Sequence, residues 1–151
     1  MTMQPAAADP FPFASPIEVR FSDIDAMNHV NNAVTVSYLE IARVRVWRER
    51  LGAVEHARDF PFILARVSID YRSPIHFGDE VIVRLRVSRI GATSFTLAYR
   101  IEASGRLAAE AETVQVMFDY ATGRSVAIEP ELRARLESLT TGTGSRERAP
   151  E

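Results

Sequence analysis

The 151-residue chain has no cysteine and no lysine, and no apolar run in it reaches the length of a membrane span. The lack of cysteine excludes disulfides, a thiolate nucleophile and zinc–thiolate sites, and it fits a reducing, cytoplasmic setting. Because all 18 basic residues are arginine, a bound anion must meet guanidinium forks or backbone N–H groups. A net charge of only −2 leaves no basic field for nucleic acid or an anionic membrane. The roughly 20 unbroken apolar residues of a spanning helix are missing. The opening MTMQPAAADPFPFASP has no basic segment and carries four prolines, so it does not read as a signal peptide. Residues 1–15 are expected to form a flexible arm.

What is present is enough for one core. With 46% apolar residues, a chain of this length buries roughly two thirds of its unfolded surface in a single domain, here expected over residues 16–139. Ile17 to Phe21 alternates apolar and charged residues, the period of a half-buried strand. From Ala33 to Leu51 nothing breaks a helix, Asn31 or Asn32 can cap it, and Gly52 follows its end. The helix is apolar around much of its circumference, which predicts enclosure, with Glu40 as a buried acid paired to Arg43 one turn on.

After Pro61 the period changes to two, and four strands follow, separated by turns at Ser73-Pro74 with Gly78-Asp79, at Gly91 and at Ser104-Gly105. In the last strand, Leu107 to Tyr120, apolar parity changes between Ala111 and Val114, so either a bulge shifts the register or both faces are covered. A short helix is expected over Glu129 to Leu139, with a disordered tail over residues 140–151. The pattern is α+β. An antiparallel sheet of about five strands has one apolar face, and the long helix is the only element able to cover it. A sheet curled over one helix leaves edges and apolar surface open, which a dimer would close.

Polar chemistry gathers between Ser22 and Asn32, where two aspartates, three asparagines and His29 precede the helix start. Asp23 and Asp25 read equally as turn formers and as working carboxylates. His29 either orients a carboxylate or water, or supports the turn. Asp23, Asp25 and His29 also make a thin set of metal ligands. His56 and His76 read as surface residues, and Arg66, Arg89 and Arg124 as candidate contacts for phosphates.

FSDIDAMNHVNNAVTVSYLEIAR resembles the N-terminal signature of the hotdog-fold acyl-CoA thioesterases of the 4-hydroxybenzoyl-CoA thioesterase type, and the likeness continues through YRSPIHFGDEVIVRLRV, GATSFTLAYRI and VQVMFDYATGRSVAIEPELRARL. The resemblance implies a curled sheet around a central helix and an active site where two subunits meet, in a homodimer or dimer of dimers. It implies that Asp25 attacks the thioester carbonyl or activates water, and that the backbone N–H of Asn32 stabilises the oxyanion. No metal or cofactor is expected, coenzyme A being part of the substrate. Asn28 departs from the pattern, standing where related sequences often carry glycine. A thioesterase acting on acyl carrier protein and a dimer that binds acyl thioesters without turnover are the alternatives, and a dehydratase matches the turn less well. Acyl preference is expected to depend on Met27, Val34, Tyr38, Phe62 and the strand side chains.

Overall fold

The computed structural model describes residues 10–140. Its elements are β1 (Phe13–Ile17), α1 (Asn32–Val46), β2 (Phe62–Tyr71), β3 (Val81–Ile90), β4 (Ser94–Ala103), β5 (Arg106–Asp119), β6 (Arg124–Ser125) and α2 (Pro130–Glu137). The sheet is antiparallel throughout, in the order β1-β3-β4-β5-β2, with β6 added to the end of β5. It curls around α1, the hotdog arrangement. Among the described residues no helix is long and apolar enough to cross a membrane.

The first strand lies four residues earlier than its sequence reading. Phe13, Ser15 and Ile17 are buried, whereas Phe21 is exposed and opens a short 3-10 turn, Phe21–Asp23. Pro16 has no N–H to donate, which would exclude it from a central strand, but β1 is an edge and pairs only with β3. Residues 13–15 therefore belong to the sheet and not to the arm, whose first nine residues lie outside the described ones, as do residues 141–151 of the expected tail.

Helix α1 begins where the asparagines predict. Asn31 caps it, its side-chain oxygen accepting from Ala33 N–H at 2.8 Å. It then widens into a π-helical turn, Trp47–Leu51, closed by the Gly52 N–H donating to the Trp47 carbonyl. Thr35, Tyr38, Leu39, Ala42, Arg43 and Val46 are the buried residues of α1. The ion pair expected on this helix is inverted: Arg43 is the buried member, 8% exposed, and Glu40 is 68% exposed, 3.9 Å away. Arg43 reaches inward towards the Tyr99 hydroxyl, which also bonds Thr113 at 2.8 Å.

The parity change in β5 reflects partial cover of both faces, since Val114, Val116 and Phe118 on the outer face are half-buried. The register with β4 does slip, at Ala108, where Ile101 pairs with Ala109 and Glu102 with Leu107. Beyond that bulge one parity is kept, and Ala109, Ala111, Thr113, Gln115 and Met117 all face inward and are buried. Two of those inward residues are polar, so the apolar pattern breaks while the strand does not. The Ser104-Gly105 hairpin turn forms as expected, both residues at positive φ (48° and 82°). Helix α2 closes the far end, with Leu136 and Leu139 buried and Val87 N–H donating to the Leu139 carbonyl.

Candidate active site

The polar turn is a miniature hairpin. Asp25 N–H donates to the His29 carbonyl (2.9 Å), Asn28 N–H to the Asp25 carbonyl (3.0 Å), and Ile24 bridges Val30. A three-residue loop of this kind needs a left-handed residue at its third position, and Asn28 supplies it at φ 64°. The glycine conformation is kept by an asparagine. Val30 N–H donates to the Ile75 carbonyl at 2.8 Å, which ties the turn to the segment between β2 and β3.

The two aspartates separate cleanly. Asp23 is 1% exposed and accepts from the Arg20 backbone N–H (3.0 Å), the Arg20 guanidinium (2.8 and 3.1 Å) and the Tyr38 hydroxyl (2.8 Å). Burial opposes its charge, but the bonds from Arg20 and Tyr38 outweigh that and hold its carboxyl below the ordinary range. Burial and the Asp23 hydrogen bond push the Tyr38 phenol up. Asp23 is thus a structural anchor. Asp25 is only half-buried; one oxygen accepts from Met27 N–H (2.9 Å) and the other from the Asn31 side-chain amide (3.3 Å). Asn31 therefore both caps α1 and steadies Asp25.

A cavity of about 290 Å³ opens beside the turn, lined by His29, Asn32, Thr35, Tyr71, Arg72 and Ala109 among others. The Tyr71 hydroxyl donates to the Asn32 carbonyl at 2.7 Å, fixing the first helical residue from the sheet side. The Asn32 N–H makes no hydrogen bond among the described residues, as the first donors of a helix commonly do not. A free N–H at a positive dipole end is the kind of group that can hold a developing oxyanion.

Residues 19–136 match the model of the thioesterase-like superfamily. The chain belongs to that superfamily. It is 30% identical over 129 residues to the long-chain acyl-CoA thioesterase FadM of Escherichia coli K12, covering 82% of this chain and 96% of the relative. Among solved structures it is similar to a thioesterase from Thermus thermophilus complexed with coenzyme A and Zn (35% identity, TM-score 0.79, 87% of this chain and 96% of that one). A predicted thioesterase from Bacillus stearothermophilus aligns with TM-score 0.81 at 26% identity, over 87% of this chain and 98% of that one. The protein is thus a hotdog-fold thioesterase.

Within this thioesterase frame, the residues singled out in the sequence are not all brought to one place. His29 and Asn32 line the cavity, while Asp25 stands outside its lining, linked through Asn31 and the His29 carbonyl. Asp23 is committed to Arg20 and Tyr38, and among the described residues no three His, Cys, Asp or Glu side chains are placed to hold a metal. Arg66, Arg89 and Arg124 are exposed and none lines the cavity; the cation there is Arg72, which bonds Glu110 at 3.1 Å. Met27, Val34, Tyr38 and Phe62 do not line it either. Tyr38 is spent on Asp23, and Phe62 packs in an aromatic cluster with Trp47, Phe60 and Phe95.

His76 is exposed, as read, but its ring lies against His29, with centroids 5.3 Å apart. That contact joins residues 47 apart and has no local sequence signal. Ala108 and Ala109, from the small-residue run Leu107-Ala108-Ala109-Glu110-Ala111, also line the cavity.

Proposed function

We propose that this thioesterase hydrolyses acyl-CoA thioesters to the free acid and coenzyme A, acting in the cytoplasm. The observation that carries the reading is the Asn32 N–H at the start of α1, which makes no hydrogen bond among the described residues, in a residue that lines the cavity beside the Asp25 turn. The thioester carbonyl would lie with its oxygen towards that N–H. The Asp25 carboxylate then either attacks the carbonyl carbon or takes the proton from a water that attacks it. Attack by the carboxylate expels the coenzyme A thiolate as the C–S bond breaks and gives an anhydride that water cleaves; attack by water expels the same thiolate. Both routes pass through a tetrahedral oxyanion, and losing one such donor typically costs about 3 kcal/mol of transition-state stabilisation. His29, on the cavity wall, orients the water or the thioester. The relatives support the substrate class, since FadM is an acyl-CoA thioesterase and the Thermus thermophilus protein was solved with coenzyme A.

The working unit we infer is a homodimer, which a dimer of dimers can extend. Strand β2 pairs with β5 on one side, and its other edge pairs with no described strand. Leu64 and Val67 stand opposite the buried Gln115 and Thr113, so they face inward, yet they are 40% and 37% exposed. Such surface on an open edge calls for a second copy. Antiparallel pairing of β2 with β2 about a two-fold sets the Phe62 end of one copy beside the Tyr71 end of the other. A hollow of about 710 Å³ at the Phe62 end, lined by Arg58, Phe60, Tyr120 and Leu132 among others, then opens next to the other copy's cavity.

Thiol release from a panel of acyl-CoAs, with the same acyl groups offered on acyl carrier protein, tests the reading. Faster release from coenzyme A than from the carrier is expected, and its loss in Asp25→Asn. Binding without release over hours would overturn the assignment.

A further inference from the structure

The two ring nitrogens of His29 make no hydrogen bond among the described residues, so hydrogen bonding does not set the direction of this imidazole. Its ring is instead met edge to face by His76, at an interplanar angle of 75°. His76 is itself held. Its backbone N–H donates to Asp79 Oδ2 at 2.8 Å, and its Nδ1 lies 3.7 Å from the same oxygen. Asp79 is anchored from the other side by Ser104 Oγ and the Arg106 guanidinium, both at 2.9 Å, which belong to the hairpin between β4 and β5. The segment carrying His76 is joined to the turn twice more, through Val30 N–H to the Ile75 carbonyl and through Phe77 packed edge to face on Phe21 at 6.0 Å. A continuous line of contacts thus runs from the β4–β5 hairpin through Asp79 and His76 to His29.

We propose that His76 is a positioning residue, whose ring holds the His29 imidazole in the one orientation that faces the cavity. The inference rests on the thioesterase reading above, in which His29 orients water or thioester. His76 touches no substrate in this account and acts only through His29. The shape of its ring, more than its nitrogens, is what matters.

The test combines kinetics with a signal independent of turnover. His76→Ala is expected to lower kcat about tenfold, near the most that one ring contact supplies, with KM and Tm unchanged. His76→Phe keeps the edge contact and recovers most of that loss, whereas His76→Gln does not. In a His29→Ala background, His76→Ala costs nothing further. The chain has only three histidines, so the His29 ring signals can be followed by NMR, and in His76→Ala they are expected to shift and show averaging between rotamers. Losses that multiply in the double variant, recovery by Gln but not Phe, or an unmoved His29 signal would overturn the proposal. If Asp25→Asn is inactive while His76→Ala matches wild type, this inference alone fails; if Asp25→Asn is fully active, the thioesterase mechanism fails, and the NMR result still decides the His76 contact.

Discussion

At φ 64°, Asn28 holds a conformation that side chains other than Asn, Asp and Gly adopt at a cost. Replacing it with glycine should leave both turnover and stability close to wild type. Asn28→Val should destabilise by about 1–2 kcal/mol, read as a lower urea midpoint. Asn31 allows a sharper separation of stability from chemistry, because its oxygen caps α1 while its amide steadies Asp25. Aspartate caps a helix as well as asparagine does, so Asn31→Asp should keep Tm within a few degrees. It replaces a donor to Asp25 with a second negative charge, and kcat should fall about tenfold or more. Equal losses in Tm and kcat would argue that Asn31 serves the fold alone.

Asp23 sets the acid limit of the turn. Its carboxyl titrates below the ordinary range in the folded chain, so the stability it contributes is present above about pH 4 and is lost as pH falls through the folded value. Asp79 behaves alike: burial is outweighed by bonds from the His76 N–H, Arg106 and Ser104. Urea midpoints should therefore stay nearly level from pH 6 to about pH 4 for the wild type and fall as the pH is taken below that. Asp23→Asn should start about 2 kcal/mol less stable at neutral pH and show a shallower drop. The opposite slope, with the variant more acid-sensitive than wild type, would contradict this account.

On the scale of elements, the sequence was most readable where a single period runs unbroken. Helix α1, the hairpin at Ser104-Gly105 and the inward alternation of β3 and β4 follow directly from the pattern, because local periodicity and long-range packing ask for the same residues. It misled where the two diverge. Residues 13–15 read as arm because the pattern does not say that an edge strand, where Pro16 is tolerated, begins there. The pattern leaves the facing of β5 beyond Ala111 open because the buried polar residues Thr113 and Gln115, satisfied by Tyr99 and by each other, imitate exposed ones. Arg43 and Glu40 were exchanged for a related reason: a long guanidinium can lie inward along apolar surface and bond a hydroxyl, a choice that depends on Tyr99 about sixty residues away. The candidate site divides the same way. Asp25, His29 and Asn32 sit within eight residues and are legible as a cluster. Tyr71, Arg72 and Ala109 reach it from the β2 and β5 side of the sheet, and His76 from the segment between β2 and β3, all distant in sequence.

For the whole molecule, the open β2 edge and its inward yet exposed Leu64 and Val67 predict that one chain is half of the functional unit. Analytical ultracentrifugation should show a dimer or a multiple of it for the wild type. Leu64→Asp combined with Val67→Asp should yield a folded monomer with little turnover, because the hollow at the Phe62 end would no longer border a second cavity. A fully active monomer would leave the site complete within one chain and remove the composite picture.

The most direct measurement of the central claim is the rate of thiol release from the best acyl-CoA substrate by wild type and by Asp25→Asn, alongside their Tm values. The replacement keeps the shape of the turn and its acceptor for Met27 N–H while removing the carboxylate. A fall in kcat of about 100-fold or more is expected for Asp25→Asn, with Tm nearly unchanged. Turnover by Asp25→Asn equal to wild type would contradict it.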